Sequence, residues 1–154
     1  MSKTRRFHSG VVKRSVIIHC TKEKVWRMIS NITNLPQWVS VIKKTVLKSK
    51  IKGGVGAIRD VILDDNTVLE EHIVDWQDGR SFSYVAVTGM PVRTYFATLS
   101  IKPRRRNSVA LTWSCYINSK KITSREFKRL KSDLDSQYKI SLKNIKSKLE
   151  HPRF

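Results

Sequence analysis

Four histidines and two cysteines are the first residues to test for chemistry. His8, His19, His72 and His151 stand at no metal-ligand spacing, and Cys20 and Cys115 are far apart in the chain. Neither a zinc site nor a disulfide framework is encoded. Both thiols lie inside apolar strand patterns and read as buried and reduced. Gly53-Gly54-Val55-Gly56 lacks the following Lys-Ser/Thr that completes a phosphate loop. No Gly-x-Ser-x-Gly elbow or cysteine-centred nucleophile motif occurs. No metal or cofactor is therefore expected. What remains for acid–base work is Glu71, with Tyr84 or Tyr95 as partner, provided the fold brings them together.

The segments that carry these residues alternate in hydrophobicity. Val11 to Cys20 is rich in Val and Ile and reads as a strand. Thr21 caps a short helix over KEKVWRMIS, with Val25, Trp26 and Ile29 on one face. Asn34-Leu35-Pro36-Gln37-Trp38 reads as a turn or second short helix. Further strands are expected at 41–48, 57–63, 67–76, 81–88, 92–102 and 108–117. Val109, Leu111, Trp113, Cys115 and Ile117 form one face of the last, and Tyr95, Ala97, Leu99 and Ile101 one face of its neighbour. These are the inward sets. Asp78-Gly79 signals a tight type I′ hairpin. Such a turn pairs Gln77 with Arg80 and so places Glu71 opposite Ala86, on the face that carries Phe82 and Tyr84.

The chain ends in a long helix. Thr123 and Glu126 make a capping box. Phe127, Leu130, Leu134, Tyr138, Leu142, Ile145 and Leu149 then form one apolar stripe. Asp133, Gln137 and Ser141 run along its edge.

These elements amount to a single α+β domain over residues 11–150, preceded by a basic tail over 1–10. The 154 residues carry 31 Lys or Arg against 12 acids, a net charge of +19. Seven of the acids crowd into residues 60–78, which hold no Lys or Arg. A positive balance of this size raises nucleic acid or an anionic membrane surface as a partner. The charges are spread along the chain, however, and the binding they imply is weak. No apolar run reaches the ~18 residues of a membrane span, and the first residues lack the apolar core of a secretory signal. A cytoplasmic protein is expected.

Five strings in order carry a family resemblance: Lys22-Glu23-Lys24-Val25-Trp26, Asn34 to Trp38, Gly54 to Asp60, Phe82-Ser83-Tyr84 and Pro91-Val92-Arg93-Thr94-Tyr95. Together with the final helix they resemble the SRPBCC superfamily, the START-like, birch-pollen-allergen-like proteins, and within it the polyketide cyclase/dehydrase-like branch. The resemblance implies a helix-grip fold, in which a curved seven-stranded antiparallel sheet wraps around the C-terminal helix and two short helices follow strand 1. It also implies a cavity between sheet and helix for a small, mostly apolar molecule.

By the family pattern Arg59 points inward with Val61 and Leu63. A three-residue turn at Asp64-Asp65-Asn66 sets Arg59 opposite Glu71, whereas a different turn length sets it opposite His72. The candidate wall then comprises Arg59, Val61, Leu63 and Glu71, with Tyr84, Tyr95, Ala97 and Trp113 from the later strands. Asp133 and Gln137 come from the helix. The lysine that the plant abscisic-acid receptors use for the ligand carboxylate falls near Val39, and their long gate loop is shortened here, which argues against hormone reception.

Three functions follow. The first is a carrier or binding protein for a lipid-, polyketide- or isoprenoid-like molecule. The second is a cyclase, aromatase or dehydratase-like enzyme using the same cavity. The third is a basic surface module for nucleic acid or anionic membrane.

Overall fold

The structure is a computed structural model that describes residues 7–151. Strand β1 (His8–Ile18) is followed by helix α1 (Lys22–Ser30) and a single 3-10 turn (Leu35–Gln37). Strands β2 (Ile42–Leu47), β3 (Ile58–Leu63), β4 (Val68–Gln77), β5 (Ser81–Thr88), β6 (Thr94–Arg104) and β7 (Ser108–Ser119) come next, and helix α2 (Ser124–Glu150) closes the chain. The strands form one antiparallel sheet in the order β1-β7-β6-β5-β4-β3-β2. Connections are hairpins except the long crossover from β1 to the far edge. This is the α+β helix-grip architecture expected from the sequence.

Two boundaries differ. The expected basic tail reached residue 10, but His8, Ser9 and Gly10 already pair with Ser119, Asn118 and Ile117. Residues 1–6 lie outside the described residues. The second difference is the hairpin at Asp78-Gly79. Only Gly79 takes a positive φ, +78°, and Gln77 pairs with Ser81, not Arg80. A type I′ turn needs left-handed backbone at both central residues, which Asp78 does not adopt. The loop is thus one residue longer than expected. A bulge between Ile73 and Asp75 then shifts the register back by one, so Glu71 still stands opposite Ala86. The extra residue, Val74, points out and is exposed.

The β3–β4 turn is the three-residue version. Leu63 N–H donates to Thr67 O at 2.8 Å, and Asn66 N–H to Leu63 O at 2.9 Å. Asn66 sits at φ +71°, a left-handed value that Asn tolerates better than most residues. Asp65 Oδ1 accepts from Thr67 N–H at 3.0 Å. This turn length pairs Arg59 with Glu71.

Helix α2 starts where Thr123 and Glu126 bond each other's backbone N–H, the reciprocal cap read from the sequence. Such a cap contributes about 1 kcal/mol. Phe127, Tyr138, Leu142 and Ile145 are buried against the concave face. The helix is fastened to β1. Arg14 grips Asp135 through two bonds of 2.8 Å, Lys146 Nζ donates to Ile17 O at 2.5 Å, and His19 N–H donates to Glu150 at 2.7 Å.

Candidate ligand cavity

Between the concave face and the first half of α2 lies a cavity of about 440 Å³. Its floor is the inward set of β3 to β7, because alternate residues of a strand share a face. Val61 and Leu63 come from β3, Leu69 and Glu71 from β4, and Tyr84, Tyr95 and Trp113 from the next three strands. Leu130, Asp133, Leu134, Gln137 and Tyr138 close it from the helix. Spaced three and four apart, they lie along one side of α2. Leu35, Val39, Val41 and Ile42 close one end, while Gly89, Met90 and Pro91 of the β5–β6 loop form part of the rim.

The inner wall is aromatic. The Trp113 and Tyr138 rings stack at 3.9 Å, 7° from parallel, and Trp113 also meets Trp38 at 5.3 Å. Trp113 Nε1–H donates to the Tyr84 hydroxyl at 3.1 Å, and the hydroxyls of Tyr95 and Tyr138 bond each other. Burial pushes all three phenols well above their ordinary range, so they stay neutral.

One ion pair sits at this wall. Arg59 Nε donates to Glu71 Oε1 at 2.9 Å, and Nη2 lies 2.9 Å from the same oxygen. The Nη2 approach is off the hydrogen-bonding axis, so we count one good bond to Glu71. Arg59 Nη1 donates to Ile32 O at 2.8 Å, and the guanidinium carbon stands 4.7 Å from the Tyr84 ring centroid. Both partners are buried, Arg59 at 1% and Glu71 at 4% exposure. Burial raises the Glu71 carboxyl above its ordinary value, and Arg59 offsets part of that rise.

Of the ten residues expected at the site, eight reach the cavity: Val61, Leu63, Glu71, Tyr84, Tyr95, Trp113, Asp133 and Gln137. Two do not. Arg59 stands behind Glu71, drawn away by the Ile32 carbonyl, and fully buried Ala97 is covered by its neighbours. Ser141, on the same helix edge as Asp133 and Gln137, is buried outside the cavity with its Oγ unpartnered. Sequence reasoning missed Tyr138, although it lay on the apolar stripe. A hydroxyl among aliphatic residues was the available signal. It also missed Leu35, Val39 and Ile42, which lie around an irregular turn without periodicity to reveal their direction.

Comparison with known proteins decides the family. Residues 9–150 match the family described as polyketide cyclase / dehydrase and lipid transport. The chain belongs to this family. No curated protein matches. Among solved structures, the XoxI protein of Bacillus cereus is 21% identical over 91% of this chain and 95% of its own, with a TM-score of 0.79. A protein of Nitrosospira multiformis is 17% identical over 92% and 97%, with a TM-score of 0.77. A START superfamily protein of Mycobacterium smegmatis is 15% identical over 93% and 99%, with a TM-score of 0.73. At these identities the structural likeness shows a shared fold. Family and fold together point to a domain that binds a hydrophobic ligand. Among the described residues, no helix is long and apolar enough to cross a membrane, and no cluster of His, Cys, Asp or Glu is arranged to hold a metal.

Proposed function

We propose that this chain holds one small, mostly apolar molecule between sheet and helix, as a carrier or binding protein. The observation that carries the reading is the cavity itself. It is large, walled by aliphatic and aromatic side chains, and supplied with only a few polar groups, as ligand sites are.

The test is to fill the space. Leu134 is half-buried on α2 and faces the cavity. Leu134→Trp should leave the unfolding midpoint nearly unchanged while lowering affinity for a neutral environment-sensitive dye at least about tenfold. Native mass spectrometry of the purified protein should show a co-purified molecule, absent from the variant. Unchanged dye affinity would refute the reading.

A second reading, a cyclase or dehydratase-like enzyme, draws support from Glu71. A carboxyl raised by burial, beside three neutral phenols, is a suitable general acid or base. Turnover of a polyketide-like substrate, lost in Glu71→Gln with binding retained, would establish it.

A further inference from the structure

The charges at the cavity contrast with those of the whole chain. The protein carries 31 Lys or Arg and 12 acids, yet the charged residues lining the cavity are Asp65, Glu71 and Asp133. Among the described residues, no Lys or Arg lines it. The cation nearest to it, Arg59, stands behind Glu71 and is engaged by that carboxylate and the Ile32 carbonyl.

Two acceptors on the lining lack a donor, while the unpartnered donor next to them, Arg59 Nη2, stands behind Glu71. Both Arg59 approaches to Glu71 go to Oε1, so among the described residues Oε2 accepts no hydrogen bond. Glu71 is 96% buried and lines the cavity, which makes Oε2 an acceptor awaiting a donor inside it. Gln137 Oε1, on the facing helix, is likewise buried without a partner. Asp65 and Asp133 stand exposed on the lining and form no ion pair among the described residues. The hydroxyls of Tyr84, Tyr95 and Tyr138 and Trp113 Nε1 are already bonded to one another.

We infer that the ligand is a hydrophobic amine, its apolar body between the sheet and α2 and its ammonium head donating to Glu71 Oε2 and Gln137 Oε1, with Asp133 adding attraction at the lining. An ammonium supplies three donors and no acceptor, the complement of these groups. Burying it without a carboxylate would cost far more than the apolar body returns. This inference rests on the cavity being a ligand site.

Three amphiphiles with the same ten-carbon chain test it: decylamine, decanol and decanoate, each displacing a neutral dye at pH 7.5. Decylamine should bind at least tenfold tighter than decanol, and decanoate weakest. The net charge of +19 would favour decanoate at any non-specific site, so a preference for the amine must come from the cavity. Glu71→Gln should reduce the amine to the level of decanol. Because that change strands the buried Arg59 charge and so endangers folding, Asp133→Asn, on an exposed residue, provides a second arm. It should weaken decylamine severalfold and leave decanol unchanged. Decanoate matching decylamine, equal binding of amine and alcohol, or an amine preference left unchanged by Asp133→Asn would overturn the inference. Binding of decanol without amine preference would leave the cavity reading standing, whereas binding of none of the three would remove both.

Discussion

Arg59 and Glu71 face each other across adjacent strands and meet at 2.9 Å, with their side chains only 1% and 5% exposed. The desolvation cost of such a pair can exceed its attraction, so its worth is shown by what happens when one partner goes. Arg59→Met or Glu71→Leu alone should cost about 3–5 kcal/mol, because each strands a buried charge. The double variant should recover much of that loss. Denaturation midpoints of the four proteins measure it, and small additive effects would contradict a buried pair.

Glu71 should also make stability fall with pH. Its folded-state pKa lies above the unfolded value of about 4.3, so the folded protein holds this proton more tightly. The stabilisation is complete below the unfolded pKa and is lost as pH rises through the folded one. Asp135 and Glu150 act oppositely, their carboxyls held below the usual range mainly by the hydrogen bonds from Arg14 and Lys146. Carbon-detected NMR titration should find the Glu71 carboxyl titrating last of the three. Removing the neighbouring charge in Arg59→Met should raise it further.

The Tyr95–Tyr138 pair predicts a non-additive result. Either Phe substitution alone removes one hydroxyl and leaves the other buried without this partner, at about 1–3 kcal/mol. Changing both together should cost less than the sum of the single changes. Chemical denaturation of the set is the measurement.

Two glycines with similar backbones should respond differently. Gly79 (φ +78°) and Gly89 (φ +97°) both occupy left-handed space, at about 1–3 kcal/mol for another residue. A Cβ on Gly79 meets nothing within 4 Å, whereas on Gly89 it would lie 2.2 Å from the Val68 carbonyl oxygen. Gly79→Ala should therefore show the backbone cost alone. Gly89→Ala should lose more and disturb dye binding as well, because Gly89 lines the cavity.

The capping box, the apolar stripe and the alternation of β6 and β7 were legible because each is a local rule repeated along the chain. Glu71 was placed opposite Ala86 for an incomplete reason. The longer loop at Gly79 and the bulge at Val74 shift the register in opposite directions and cancel. A bulge is invisible in a pattern of period two, since Val74 is as good a strand residue as the Val-rich segments around it. The β3–β4 pairing needed only a turn length, and the left-handed Asn66 supplied it. The strand alternation points Arg59 inward, toward the cavity. Whether its head reached the space depended on the Ile32 carbonyl, a contact from a distant segment that no spacing reveals. The end wall around Leu35 and Val39 was hidden for the same reason.

The fastenings of α2 have a kinetic consequence. Arg14, Ile17 and His19 bind it from Asp135 onward on the β1 side, and Asn144 Nδ2 donates to Trp38 O at 3.3 Å on the other, while the cavity lies beneath its first half. The helix is held along its second half, while among the described residues its first three turns make no side-chain hydrogen bond to the sheet. A guest molecule could therefore come and go by a slight lift of these first turns, with every strand-to-strand bond intact, so exchange need not wait for rare global opening of the domain.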